Sequence, residues 1–145
     1  MSSLHRVPVM VVSSDSDTQD MYLVQLRSQR LPAVGVGNVD EAGALADRTE
    51  IRVVLFDVAR RGDWECLASF VRQRPTIPVV VLTGWISGDC SYRALAHDLG
   101  CAGFLGKPCP LDLVTEALRH AAERRPWFEY VGGASGPDGG LPPRG

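Results

Sequence analysis

The stretch that decides the fold is Arg52-Val-Val-Leu-Phe-Asp57, which is followed by Val58-Ala-Arg-Arg-Gly-Asp63. An unbroken apolar run that ends in a carboxylate is typical of a strand buried on both faces at the centre of a parallel sheet. Asp57 then lies at the carboxyl end of that strand, the edge where open α/β sheets place their ligands. The alternative is a solvated aspartate that begins the loop, and the rest of the chain decides between the two.

Strand-like and helix-like segments alternate five times along the chain. The predicted strands are Val7–Val12, Ala33–Gly37, Arg52–Asp57, Ile77–Leu82 and Ala102–Leu105, and the predicted helices are Thr18–Arg30, Glu41–Asp47, Trp64–Arg74, Asp89–Leu99 and Leu111–Glu123. This alternation predicts a parallel sheet with right-handed crossovers and helices on both faces. We expect Asp40 to cap the second helix. Residues 1–125 form the predicted domain, and the Gly- and Pro-rich residues 126–145 are predicted to be a linker or disordered tail.

Composition excludes several classes of function. A net charge of −2 leaves no basic footprint, so we expect no nucleic-acid binding by this chain. No apolar run approaches the ~20 residues of a membrane span, and the first residues lack the apolar core of a signal peptide, so the expected compartment is the cytoplasm. The four cysteines and three histidines are scattered, which disfavours zinc and predicts free cysteines that fill space.

Reactive side chains follow four of the predicted strands. Ser13 and Ser14 lie at the end of strand one, and Asp57 lies at the end of strand three. Thr83 lies at the end of strand four, and Lys107 at the end of strand five. An aspartate can accept a phosphoryl group as an acyl phosphate, a lysine can neutralise the incoming oxygens, and a threonine can hydrogen-bond one of them. The combination predicts phosphoacceptor and autodephosphorylation chemistry at most, and not an enzyme that acts on a separate substrate.

Over residues 7–124 the chain resembles the receiver domain of two-component response regulators. The matching pieces are Val53-Val-Leu-Phe-Asp57, Val79-Val-Val-Leu-Thr83-Gly84, Arg93-Ala-Leu-Ala-His-Asp-Leu-Gly100 and Gly103-Phe104-Leu105-Gly106-Lys107-Pro108. The resemblance implies a flavodoxin-like, five-stranded (βα)5 fold. It implies that Asp57 is the phosphoacceptor, Thr83 the switch hydroxyl and Lys107 the phosphate-contacting lysine. Phe104 would be the aromatic that swings between outward and inward positions, and the Lys107–Pro108 bond would be cis.

The chain departs from that family at the end of strand one. Receivers carry two adjacent acidic residues there that help to hold Mg²⁺, and this chain has Ser13 and Ser14. Mg²⁺ prefers oxygen ligands that include carboxylates, and a unit charge pair ~4 Å apart is worth about 4 kcal/mol at an effective dielectric of 20. We therefore expect a weak or absent metal site at Asp57. In its place, Lys107 would pair directly with Asp57, and the two serines would hydrogen-bond that pair.

Two neighbours of the pocket allow alternative interpretations. A bulge could aim Asp15 inward to complete a poor metal site, but the favoured interpretation is that it caps the first helix from outside the pocket. Arg60 and Arg61 lie in the turn after Asp57, where they either attract a phosphate donor or, as we favour, are solvated.

The favoured function is an atypical receiver module in signal transduction, with its Mg²⁺-dependent phosphorylation weakened or lost. Its output would be protein–protein contact with a partner or a second copy through the face formed by helix four, strand five and helix five. The first alternative is a working phospho-receiver in a phosphorelay, accepting phosphate on Asp57 from a histidine kinase or phosphotransfer protein. The second alternative is a small-molecule-binding module on the same fold. It ranks last because the sequence has no Gly-x-Gly-x-x-Gly or Walker lysine motif.

Overall fold

The computed structural model describes residues 9–84 and 91–131. The strands are β1 (Val9–Val12), β2 (Ala33–Val36), β3 (Val53–Val58), β4 (Val79–Thr83), β5 (Gly103–Gly106) and β6 (Phe128–Val131). The helices are α1 (Ser16–Ser28), α2 (Val39–Arg48), α3 (Gly62–Gln73), α4 (Ser91–Asp98) and α5 (Leu111–Ala122). Predicted and observed bounds agree to within about two residues. The predicted starts of strand one and helix four, and residues 132–145, lie outside the described residues.

All strands lie parallel in one sheet of order β2-β1-β3-β4-β5-β6. Every residue of β1, β3, β4 and β5 is buried, as the continuous apolar runs predicted. Alternate residues of the strands belong to two apolar core clusters. One cluster includes residues of α2, α3 and α4, and the other includes residues of α1 and α5. The predicted α/β fold with helices on both faces is therefore confirmed.

The sheet has six strands, which corrects the five-stranded prediction. Phe128–Val131, which the sequence assigned to the tail, forms β6 and pairs in parallel with β5. Two aromatic residues and a valine in four positions favour a strand, and β5 would otherwise be an open sheet edge. Gly103 permits the pairing, because a Cβ there would lie 2.8 Å from the carbonyl oxygen of Phe128.

The cap of α2 is also corrected. Asn38, not Asp40, is the N-cap: its Oδ1 accepts a hydrogen bond from the Glu41 amide at 2.9 Å. Asp40 lies in the first turn, where its charge favours the helix dipole. Asparagine and aspartate cap comparably well, so the sequence left the start of this helix uncertain by two positions.

Two other expectations concern the described residues. Cys66, Cys101 and Cys109 are free, as predicted, and Cys90 lies outside the described residues. Within residues 9–84 and 91–131, the helices are too short or too polar to cross a bilayer.

Candidate functional site

Asp57 lies in the centre of the sheet near the carboxyl end of β3. Its side chain is 2% exposed, and its Oδ1 lies 2.8 Å from the Nζ of Lys107, whose side chain is 31% exposed. The predicted direct ion pair is therefore present. Among the described residues, Oδ1 receives no well-aligned hydrogen bond, so the contact is mainly electrostatic. The Lys107–Pro108 bond is cis, as the resemblance implied.

Ser13 completes the surroundings of the carboxylate. It is 2% exposed, and its Oγ donates a hydrogen bond to Oδ2 of Asp57 at 2.9 Å. The same Oγ accepts from the Asp15 amide at 3.1 Å, which fixes its orientation. Both oxygens of Asp57 therefore face a donor supplied by this chain. One is an ammonium group and the other is a hydroxyl.

Ser14 does not join this arrangement, and that part of the prediction is wrong. Its side chain is exposed, and its Oγ accepts a hydrogen bond from Arg60 at 2.9 Å. β1 ends at Val12, and beyond it only Ser13 turns inward. Arg60 is also more than a solvated cation, since it connects the two loops that border the pocket.

Asp15 caps α1, which was the favoured interpretation. Its Oδ2 accepts from both the amide and the hydroxyl of Thr18, and the residue is exposed. The hydrogen bond from the Thr18 hydroxyl is the main cause that lowers the pKa of Asp15. Because the carboxylate is committed to the helix terminus, it is not aimed at a metal beside Asp57.

Thr83 and Phe104 take buried positions near the pocket. The register pairs Asp57 with Leu82 and Val58 with Thr83, so Thr83 lies one step beyond the aspartate. The Thr83 carbonyl accepts a hydrogen bond from the Lys107 amide at 2.8 Å, and this bond fixes the position of the Lys107 backbone beside β4. Phe104 is 1% exposed within the cluster that also contains Ala96 of α4, so its ring is inward.

Two further residues that were not predicted from the sequence shape the site. Oδ2 of Asp63 accepts from the amides of Ala59 and Arg60, both at 2.9 Å, and this fixes the turn after β3. Aspartates often bond nearby amides in this way, so the signal was present in the sequence. Tyr22 of α1 is the other: burial, with a smaller effect from the Asp57 charge, raises its pKa to about 12. Only the fold brings Tyr22 near the carboxylate.

The donor set does not fit the magnesium site that the receiver resemblance implies. Asp57 has its two oxygens facing Lys107 and Ser13, and Asp15 caps a helix. Within residues 9–84 and 91–131, no three His, Cys, Asp or Glu residues lie close enough together to hold a metal ion. A neutral hydroxyl is a poor substitute for a carboxylate ligand of Mg²⁺.

Comparisons with known proteins agree on the fold. No protein-family model matches the chain. A Leptolyngbya boryana protein described as "Uncharacterized 14.6 kDa protein in sodA1 3'region" is 29% identical over 119 residues, which are 79% of this chain and 89% of that protein. The signal receiver domain of an HD domain-containing protein from Pseudomonas fluorescens Pf-5 is 23% identical with a TM-score of 0.71, over 83% of this chain and 97% of that one.

A LuxR family DNA-binding response regulator from Silicibacter pomeroyi is 20% identical with a TM-score of 0.71, over 85% of this chain and 96% of that one. A receiver domain from Clostridium thermocellum is also 20% identical with a TM-score of 0.71, over 81% and 95% of the two chains. This protein therefore has the fold of response regulator receiver domains.

Proposed function

We propose that this protein is an atypical receiver module in signal transduction, in which an internal ion pair takes the place of the metal and phosphorylation is weakened or lost. One observation carries the proposal: Asp57 contacts the Lys107 ammonium at 2.8 Å through one oxygen and the Ser13 hydroxyl at 2.9 Å through the other. The receiver fold supports the signalling role, and the substitution of Ser13 for an acidic residue supports the loss of metal.

The charges in the pocket explain why phosphorylation is disfavoured. Asp57 and Lys107 neutralise each other, and the aspartate is almost fully buried. An acyl phosphate would bring a dianionic group to this position, with one lysine to balance it and no additional carboxylate to hold a divalent cation. Uncompensated charge at a buried position is costly. The pocket is therefore better suited to remain unmodified.

We infer that the output is protein–protein contact on the side of the sheet where α4, β5 and α5 meet. Because β6 covers the β5 edge, a partner would meet β6 and the outer surfaces of α4 and α5. A histidine kinase or phosphotransfer protein stays in the proposal as a binding partner, and the proposed compartment is the cytoplasm. We propose no catalytic turnover of a separate substrate.

The test is a titration with Mg²⁺ and acetyl phosphate, followed by intact mass. We expect no stoichiometric phosphoryl adduct on the wild type or on the Asp57→Asn control. The double variant Ser13→Asp/Ser14→Asp restores the acidic pair and is expected to gain one adduct that depends on both Mg²⁺ and Asp57. Circular dichroism checks that each variant is folded. A full adduct on the wild type that disappears in Asp57→Asn would refute the proposal.

A working phospho-receiver is the second candidate, and the positions of Asp57, Thr83 and Lys107 at three adjacent strand ends favour it. In that case the aspartate would leave the ion pair when a donor arrives. The same titration decides between the two candidates, because this one requires an Asp57-dependent adduct on the unaltered chain.

A further inference from the structure

The last described strand, β6, contacts β5, α4 and α5, the last through the ring of Phe128, whose centroid lies 5.2 Å from that of His120. It pairs with β5 over Gly103–Gly106. Glu129 forms an ion pair with Arg93 of α4 at 2.8 Å, and Trp127 meets the ring of His97 edge-on at 4.8 Å. The fit is specific, since Glu129 meets a cation and Gly103 leaves room for the β6 backbone.

The same strand is weakly buried compared with its neighbour. Every residue of β5 is buried, whereas none of the β6 residues is, and Glu129 is exposed. Among the strands of residues 9–84 and 91–131, β6 lies at the end of the sheet and has one neighbour, β5. Elements with little buried surface open at a small fraction of the global unfolding free energy. β6 is therefore a strand that can leave its site while the rest of the sheet stays folded.

The connection to β6 begins with a strained residue. At the end of α5, the Arg124 amide donates to the Ala121 carbonyl at 2.9 Å and the Arg125 amide to the His120 carbonyl at 3.1 Å. This is the Schellman arrangement, whose left-handed residue is usually glycine. Arg124 occupies it with φ 62°.

The end of α4 shows the usual solution. There Gly100, with φ 91°, takes the equivalent position, and the same two hydrogen bonds form. A residue with a side chain in the left-handed region is strained, and glycine is not. The α5 end thus carries strain that the α4 end avoids, in the short connection of residues 123–127.

We propose that two copies of this chain exchange β6, so that each β6 pairs with the β5 of the other copy. Opening the hinge removes the left-handed conformation of Arg124, and the exchanged strand regains in the second copy every contact it had in its own. Short strained hinges favour domain swapping, which forms a dimer without a new recognition surface. The occupant is a second copy because the β5 edge already accepts this segment. A second copy of the chain would then be a partner at the proposed output face, whether or not Asp57 is phosphorylated.

The test uses the full chain without a phosphodonor. The protein is unfolded in urea, refolded at low and high concentration, and analysed by size-exclusion chromatography with light scattering. We expect a dimer after refolding at high concentration. In a dimer made from labelled and unlabelled copies, isotope-filtered NMR should show intermolecular contacts between Leu105 and Tyr130, which are partners in the strand register.

Three variants isolate the hinge. Arg124→Gly removes the strain, so the monomer gains less by opening the hinge. We expect the association constant of the dimer to fall about tenfold for each hinge that opens. Arg124→Ala keeps the strain but loses the side-chain hydrogen bond to the Thr76 carbonyl, so it should dimerise at least as well as wild type. Arg30→Gly is the matched control. Arg30 has φ 65° in the same arrangement at the end of α1, outside the connection of residues 123–127, and its substitution should leave the association constant of the dimer unchanged.

Three results would overturn the proposal. The first is a monomer at every concentration. The second is a dimer whose contacts between Leu105 and Tyr130 are all intramolecular, since the copies would then meet by their surfaces. The third is an equal effect of Arg124→Gly and Arg30→Gly, which would assign the change to general stability. None of these results depends on phosphorylation, so the proposed function is tested separately.

Discussion

Replacing Lys107 with methionine should destabilise the protein mainly through the loss of its ion pair with Asp57. Methionine keeps much of the apolar stem of lysine and removes the charge, so packing is largely preserved. Among the described residues, the substitution leaves the Ser13 hydroxyl as the donor to a carboxylate that is 2% exposed. A buried charge that loses its partner is one of the few causes of large mutational effects.

The size of the effect follows from the geometry of the pair. At 2.8 Å the Coulomb energy is about 6 kcal/mol for an effective dielectric of 20, before the cost of desolvating the lysine. Breaking a buried pair by removing one partner costs about 3–5 kcal/mol. Because the Lys107 side chain is 31% exposed, we expect the low end, about 3 kcal/mol.

A double-mutant cycle separates the ion pair from other effects of the substitution. Urea unfolding at pH 7 is measured for wild type, Lys107→Met, Asp57→Asn and the double variant. In the Asp57→Asn background no buried charge remains, so Lys107→Met should cost about 1 kcal/mol or less, which gives a coupling energy of about 2 kcal/mol. A matched control is the same cycle with Arg74→Met and Asp47→Asn, which tests an ion pair whose aspartate is 68% exposed.

A coupling energy below about 0.5 kcal/mol, the limit within which independent sites add, would refute a strong interaction between Lys107 and Asp57. That result would mean that water already solvates the carboxylate. A coupling between Arg74 and Asp47 as large as that between Lys107 and Asp57 would also count against it, because exposed pairs are worth only about 0–1 kcal/mol.

Two further predictions concern the neighbours of the ion pair. Ser13→Ala removes the donor to a buried carboxylate oxygen and should lower the free energy of unfolding in urea by about 1–3 kcal/mol. Ser14→Ala, at an exposed site, should change it by no more than about 0.5 kcal/mol. Equal costs would contradict the assignment of Ser13 to the pocket. Asp57→Asn should lower the Tyr22 pKa from about 12 while leaving it above 10, because burial is the larger cause and the Asp57 charge the smaller. Tyrosinate absorbance during alkaline titration, with Tyr22→Phe to assign the transition, measures this, and an unchanged pKa would show that the two groups do not interact. Since the raised pKa belongs to the folded state, wild-type stability should fall as pH rises from about 10 towards 12.

The core of the fold could be predicted from the sequence because continuous apolar runs and parallel strands specify each other. Asp57 and Lys107 were placed at the ends of β3 and β5, the strands on either side of β4, and their pairing followed from opposite charge. β6 was missed because Gly- and Pro-rich residues follow it, and this composition dominated the interpretation of the whole segment. A strand of four residues is also too short for periodicity to identify.

The details around the pocket were less predictable for a different reason. Ser13 and Ser14 are identical in type and adjacent in sequence, and only the path of the chain after β1 turns one inward and the other toward Arg60. The cap of α2 was ambiguous because two good capping residues lie two positions apart. In each case the sequence supplied the right residue types, and tertiary geometry assigned their partners.

The serines after β1 and the Asp57–Lys107 pair together set the charge balance of the pocket. A pocket with three carboxylates and one lysine carries net charge −2, which a divalent cation can neutralise, whereas this pocket holds one carboxylate and one lysine that neutralise each other. A buried pocket that is already neutral gains little from Mg²⁺, so its stability need not depend on the ion. If the pocket does not switch, regulation must act elsewhere in the molecule. The weakly buried β6, which follows a strained hinge and covers the β5 edge, is an element whose position can change at a small cost in free energy.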